Sequence, residues 1–167
     1  MQQTGDRNIA SVSQGGGWLW AQIDQQGDNN SASIAQHSEG AHAHITQWGD
    51  LNQASVDEGW MGSADISQTG DANIAESYQY GSAEVVITQT GSANAAFANQ
   101  YEGTNLAAIS QKGMNNYAYV EQYQWGNQAG IEQSGNFNTA SIYQYGTSDT
   151  TTITQAGEYN TASVIKN

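Results

Sequence analysis

Polar and apolar residues alternate in short runs along this chain, and most runs open on Asn or a small residue and close on glutamine. One set reads Asn8-Ala10-Val12-Gln14, Asn30-Ala32-Ile34-Gln36, Asn52-Ala54-Val56-Glu58, Asn116-Ala118-Val120-Gln122, Asn138-Ala140-Ile142-Gln144 and Asn160-Ala162-Val164-Lys166. Weaker copies are Asn73-Ala75-Ser77-Gln79 and Asn94-Ala96-Ala98-Gln100. A second set lies about eleven residues further on: Leu19-Ala21-Ile23-Gln25, Ala41-Ala43-Ile45-Gln47, Gly62-Ala64-Ile66-Gln68, Ala83-Val85-Ile87-Gln89, Asn105-Ala107-Ile109-Gln111, Asn127-Ala129-Ile131-Gln133 and Asp149-Thr151-Ile153-Gln155. A period of two puts these residues on one face of a β-strand, whereas a helix would scatter them around its axis. The predicted elements are therefore strands throughout.

Between the sets stands Gln-x-Gly-x-x-Asn, which recurs from Gln3, Gln25, Gln47, Gln68, Gln89, Gln111, Gln133 and Gln155 at spacings of 22, 22, 21, 21, 22, 22 and 22 residues. Its glycines are Gly5, Gly27, Gly49, Gly70, Gly91, Gly113, Gly135 and Gly157. Glycine supplies the positive φ of a sharp reversal; the following asparagine is expected to tolerate unusual backbone angles and to bond its own turn. One unit is then strand, turn, strand, turn. Stacked copies predict an all-β, two-sheet β-solenoid (a β-helix) of about 7.5 rungs of 22 residues, parallel and in register, with residues 1–167 forming a single repeat domain. Eight first strands but seven second strands give the half rung.

Folding a unit back on itself sets Val12 against Ala21 and Ala10 against Ile23, then Ile34 against Ala43 and Ala32 against Ile45. Large faces small, which predicts a thin interdigitated core. Ser77 in a large position faces Val85 in a small one, a volume-conserving exchange. Ala98 facing Ala107 has no such compensation, so a thin spot or local slip is expected there. The amides that share this inward face, Gln3, Asn8, Gln14, Gln25, Asn30, Gln36, Gln47, Asn52, Gln68, Asn73, Gln79, Gln89, Asn94, Gln100, Gln111, Asn116, Gln122, Gln133, Asn138, Gln144, Gln155 and Asn160, are expected to bond their own copies one rung along. The competing reading leaves them in solvent at turns.

Composition sharpens this picture. Leu, Ile, Val and Phe make 23 of 167 residues and the formal net charge is −13, values typical of disordered chains. Order must come from the repeat, with stability gained by stacking. The chain contains no proline, which would remove a ladder donor in a strand, and no cysteine, so disulfides and thiolate chemistry play no part. Neither a membrane-spanning apolar run nor a signal-peptide core follows Met1, so a targeting segment is expected to be absent from this chain. Three basic residues, Arg7, Lys112 and Lys166, argue against nucleic-acid binding.

Candidate chemistry is sparse. Asp6, Asp28, Asp50, Asp71 and Glu158 follow turn glycines; stacked, the first four form a column of like charge that would oppose packing unless screened or bridged by a cation such as Ca²⁺. His42 and His44 share an outward face without a third ligand at suitable spacing, and no metal or cofactor site is assigned. No Ser/His/Asp set, phosphate loop or carboxylate pair emerges, and the chain is not read as an enzyme. Trp18, Trp20, Trp48, Trp60, Trp125 and tyrosines from Tyr78 to Tyr145 fall mostly outward, where they either stiffen the sheets or offer a surface for packing and adhesion.

The pattern Gln-x-Gly-x-x-Asn-x-Ala-x-x-x-Gln, unbroken from Gln25 to Gln36, Gln111 to Gln122 and Gln133 to Gln144, resembles the repeat of the curlin family, the subunits of bacterial extracellular curli fibres. The chain departs from that family in having more than five repeats, in Glu58 and Lys166 at the closing glutamine, and in lacking a serine six residues before the turn glutamine. The resemblance implies a major fibre subunit: secreted, extracellular, passed unfolded through an outer-membrane channel, nucleated by a minor subunit, and polymerised with itself into biofilm matrix as a functional amyloid that mediates adhesion. The alternative is a monomeric surface-binding β-solenoid, ice-binding or adhesive. It would want a regular threonine array, and only Thr150 to Thr154 is threonine-rich.

Overall fold

The computed structural model describes residues 1–167, and every regular element in it is a strand. Sixteen strands, β1 to β16 in chain order, divide by parity. The odd strands β1 (Gln2–Thr4), β3 (Trp20–Gln26), β5 (His42–Trp48), β7 (Ser63–Thr69), β9 (Glu84–Ser92), β11 (Leu106–Met114), β13 (Gln128–Asn136) and β15 (Thr150–Ala156) form one sheet in that order. The even strands β2 (Ile9–Gln14), β4 (Ser31–Gln36), β6 (Gln53–Glu58), β8 (Ile74–Gln79), β10 (Ala95–Gln100), β12 (Tyr117–Gln122), β14 (Thr139–Gln144) and β16 (Thr161–Lys166) form the other. Every pairing is parallel, and like pairs with like: Ala21 with Ala43, Ile23 with Ile45, Gln25 with Gln47. The protein is a two-sheet β-solenoid.

The odd sheet carries one strand more than the sequence reading gave it. Gln2–Thr4, assigned to the first turn, pairs with Asp24–Gln26 and makes a three-residue stub of an eighth strand. The first rung is incomplete, while the remaining rungs are whole.

Alternation along the strands becomes alternation in burial. In β4, β6, β8, β10, β12 and β14 every second residue is buried and the others face outward. The core is a single cluster running the length of the stack, built from Ile and Val columns opposite Ala columns, with Ala10, Ala21, Ala162 and Val164 closing it at the ends. It is dry and narrow: Ile23, Ile45, Ile66 and Ile87 are fully buried, as are Ala43, Ala75 and Ala96. At about 25 cal/mol per Å² such small side chains contribute modestly each, and the total grows only with the number of rungs.

The expected slip at Ala98 does not occur. Ala98 lies in unbroken register between Ser77 and Val120, fully buried. Side-chain amides flank it on the neighbouring rungs. The Gln79 to Gln100 bond stretches to 3.3 Å and the Ser77 hydroxyl is buried without a partner.

The turns differ from expectation in one respect. Each turn glycine does adopt positive φ, from 105° at Gly5 to 120° at Gly113. The second left-handed residue, however, is the one before the asparagine: Arg7, Asn29, Leu51, Ala72, Ala93, Asn115, Phe137 and Tyr159, with φ from 55° to 61°. The asparagine itself is backbone-regular because its side chain is committed to the neighbouring rung. Only at the ends, at Asn8 with Thr4 and Asn160 with Ala156, does it bond its own turn.

Glycine is obligatory for a second reason at Gly91 and its equivalents. A Cβ there would stand 2.0 Å from the carbonyl oxygen of Gly113 in the next rung. Replacing Gly91 with alanine is thus expected to cost several kcal/mol, because the clash is with backbone and the φ is forbidden. Leu51→Asn, by contrast, relieves a left-handed leucine that is exposed and should stabilise the chain by about 0.5–1 kcal/mol. Chemical-denaturation midpoints of the two variants read both signs.

Candidate functional site: the amide columns and the open ends

Four columns of polar side chains run along the axis, and in each the partner of a side chain is its own equivalent one rung away. In the odd sheet Gln3 Nε2 donates to Gln25 Oε1 at 2.7 Å, Gln25 to Gln47 at 2.8 Å and Gln47 to Gln68 at 2.8 Å. Gln68 to Gln89, Gln89 to Gln111, Gln111 to Gln133 and Gln133 to Gln155 follow, each at 2.9 Å. The second Nε2 hydrogen of each interior glutamine crosses the core to a carbonyl of the opposite sheet: Gln25 to Ile9, Gln47 to Ser31, Gln111 to Ala95. One amide therefore ties rung to rung and sheet to sheet.

The asparagine column works through the turn. Asn52 donates its backbone N–H to Asn30 Oδ1 at 2.9 Å, and its Nδ2 to the Gly70 carbonyl at 2.7 Å. Asn30, Asn73, Asn94, Asn116 and Asn138 repeat the pattern on Gly49, Gly91, Gly113, Gly135 and Gly157, and Asn160 accepts its place on Asn138. At Asn8 the same Nδ2 reaches Gly27. The glycine carbonyl that forbids a Cβ is the acceptor this column needs.

The even-sheet glutamine column is interrupted. Gln14 bonds Gln36 and Gln36 bonds Glu58 Oε2, both at 2.8 Å, and Gln79, Gln100, Gln122 and Gln144 form a second run. Between Glu58 and Gln79 there is no bond: Glu58 Oε1 and Gln79 Oε1 are both buried without a partner. Burial pushes the Glu58 carboxyl up to about 7, with Asp57 adding to the rise; the Gln36 amide and the nearby Ala64 N–H oppose it. At the far end Lys166 has no acceptor to offer Gln144, which turns instead to the Asp149 carbonyl and Thr151 Oγ1. Lys166 Nζ lies 3.3 Å from the Thr150 carbonyl and 3.6 Å from Asp149.

Two features of the site escaped the sequence reading. Asn105 and Asn127 form a fourth, short column: Asn127 N–H donates to Asn105 Oδ1 and Asp149 N–H to Asn127 Oδ1, each at 2.9 Å. The signal was present in the spacing, since both open an alternating run, but Leu19, Ala41, Gly62 and Ala83 stand in their place elsewhere. The turn aspartates are the other. They do not simply repel: Asp6 N–H donates to Asp28 Oδ1 and Asp28 N–H to Asp50 Oδ1 at 2.7 Å, and Asp50 N–H to Asp71 Oδ1 at 3.0 Å. Each carboxylate caps a backbone donor of the preceding rung, and charge-assisted bonds of this kind are the stronger ones.

The outer faces carry aromatic rows and one histidine cluster. Tyr78, Tyr101, Tyr123 and Tyr145 follow one another at centroid distances of 5.9, 4.5 and 5.4 Å, and a groove beside them is edged by Trp60, Tyr80 and Trp125. On the odd sheet His44 sits 3.1 Å from Thr46 Oγ1 and 3.7 Å from both Asp24 and Asp65. Its strand pairs in register with both neighbours, and no group of three residues is placed to hold a metal ion. His42 adds only a tilted ring contact with Trp20. No helix is long and apolar enough to cross a membrane.

Comparison with known proteins bears on what such columns are for. Residues 5–37, which span the first complete turn motif and its strands, match the family described as the curlin associated repeat. That segment is similar to a curlin repeat. The later rungs continue the geometry of that matched segment, pairing residue for residue with it through β16. No curated protein matches the chain.

Removing one amide from the middle of a column breaks two links and strands the partners on either side. Gln111→Ala should therefore destabilise the solenoid by about 2–4 kcal/mol, and Gln3→Ala, at the exposed end of the same column, by less than about 1 kcal/mol. Denaturant unfolding of the two variants against the parent measures the contrast.

Proposed function

We propose that this curlin-repeat chain is a structural, non-catalytic subunit of a curli-like extracellular amyloid fibre, secreted and then polymerised end to end into a biofilm matrix that mediates adhesion. A nucleating subunit and an outer-membrane secretion channel are the partners this reading brings with it. The similarity of residues 5–37 to the curlin associated repeat and the solenoid fold support the assignment.

The observation that carries it is the polarity of the two ends. At one end β2 is unpaired on its outer side, and Gln3 Oε1 and Gln14 Oε1 accept no bond. At the other end β16 is unpaired, and Gln155 Nε2 keeps a hydrogen that Gln133, its interior equivalent, spends on the next rung. Lys166 is a donor with no acceptor function, and it stands in register with Gln14 through β14. Asn160 Oδ1 is likewise the acceptor that an Asn8 backbone N–H requires. Donors at one end match acceptors at the other, so copies join head to tail, and a head-to-tail contact that does not close gives a filament.

Electron microscopy together with fibre diffraction of the purified chain tests this directly. Unbranched fibres with reflections at about 4.8 Å along the axis and about 10 Å across it are expected. A stable monomer by sedimentation at high concentration, with no fibres, would overturn the assignment and favour a surface-binding monomer.

A further inference from the structure

The break in the even-sheet column has a particular shape. Between successive glutamines of this column the Nε2 of one donates to the Oε1 of the next, so an N–H points at an oxygen. At Glu58, which pairs in register with Gln79, the group that should donate is an oxygen, Oε1, and both it and Gln79 Oε1 are buried without a partner. On the other side Gln36 donates to Glu58 Oε2. Gln79 Nε2 is already used by the Ser63 carbonyl and by Gln100, so it cannot rotate to help without losing both bonds. Gly62 places no side chain over the pair; a Cβ there would sit 3.1 Å from Gln79 Oε1.

We propose that Glu58 is carried in the folded stack as a neutral carboxylic acid whose O–H donates to Gln79 Oε1, so that one proton closes the even-sheet column and its loss splits the solenoid's ladder between β6 and β8. A carboxylic acid is the one state of glutamate that reproduces glutamine's hydrogen-bonding pattern at this point, one acceptor toward Gln36 and one donor toward Gln79. The chain thereby holds an acid-closed latch in the middle of its stack. This inference concerns the solenoid itself and stands whether or not copies polymerise.

No countercharge can substitute for the proton. Asp57, next on the strand, is negative and turns outward, where His37 meets it at 3.0 Å. On β8 the titratable residues are Glu76 and Tyr78, both on the outward face, and β4 contributes only Gln36. The facing strands β5 and β7 turn Ala43, Ile45, Ala64 and Ile66 inward and keep His42, His44 and Asp65 on the outer side.

The sign follows from the direction of the shift. Folding raises the carboxyl from 4.5 to about 7, so the stabilisation is complete below pH 4.5 and is lost as pH rises through 7. The gap corresponds to a change on the order of a hundredfold in the unfolding equilibrium.

Three full-length chains decide it: the parent, Glu58→Gln and Asp57→Asn, unfolded by denaturant across a pH series that spans this window. Glu58→Gln restores an amide and should match the parent at the acid end while exceeding its stability by on the order of a hundredfold at the alkaline end. Asp57→Asn, which removes a neighbouring charge but not the oxygen pair, should retain the parent's pH dependence. Infrared spectra of the folded parent at mildly acid pH should contain a protonated-carboxyl C=O band that Glu58→Gln lacks. Parallel pH profiles for the parent and Glu58→Gln, or no such band, would overturn the proposal.

Discussion

A buried primary amide has two donors and an acceptor to satisfy, and in this protein the identical residue one rung away and the backbone carbonyls of the turn and of the opposite sheet share that demand. The rest of the structure follows from meeting it. Identical partners can align only if strands are parallel and in register, which fixes the repeat length, and they stay within reach only if each turn is the same height as the next. The 21-residue units show how tight the tolerance is: the Gln47 to Gln68 and Gln68 to Gln89 bonds keep 2.8 and 2.9 Å because the residue is lost outside the strands.

This arrangement also explains how a chain so poor in large aliphatics has a defined structure. Alanine columns let the two sheets approach closely, and close approach is what allows Gln25 or Gln111 to reach a carbonyl of the opposite sheet. A leucine-rich core would hold the sheets apart and leave the amides orphaned, at about 1–3 kcal/mol each. Hydrophobic burial and polar satisfaction are thus coupled through sheet separation. The acidic turns fit the same logic: Asp28 and Asp50 carry the surface charge while serving as acceptors for the rung above, which makes stacking compatible with a net charge of −13.

Much of this was legible in the sequence because the information is repeated. Period-two alternation gave the strands, the spacing of Gln3 through Gln155 gave the rungs, and the shared face of Ala32, Ile34 and Gln36 gave the buried columns. What was not legible depends on contacts between rungs. The left-handed residue varies from Arg7 to Tyr159 and so has no compositional signature. The continuity of register at Ala98 also could not be read locally, since volume alone suggested a slip and the flanking amides prevent one. Asn105 and Asn127 were hidden by the absence of the same residue in the other rungs, and the orphaned oxygens at Glu58 and Gln79 required knowing which atom faces which.

Hydrogen exchange of side-chain amides tests the central claim most directly. In the folded protein the Nε2 hydrogens of Gln89, bonded to Ile74 and to Gln111, should exchange as slowly as backbone amides of the central strands, and those of exposed Gln53 should exchange at the free rate. Fast exchange at Gln89 in a chain whose backbone is protected would contradict the account, because the sheets would then be standing without the columns said to hold them.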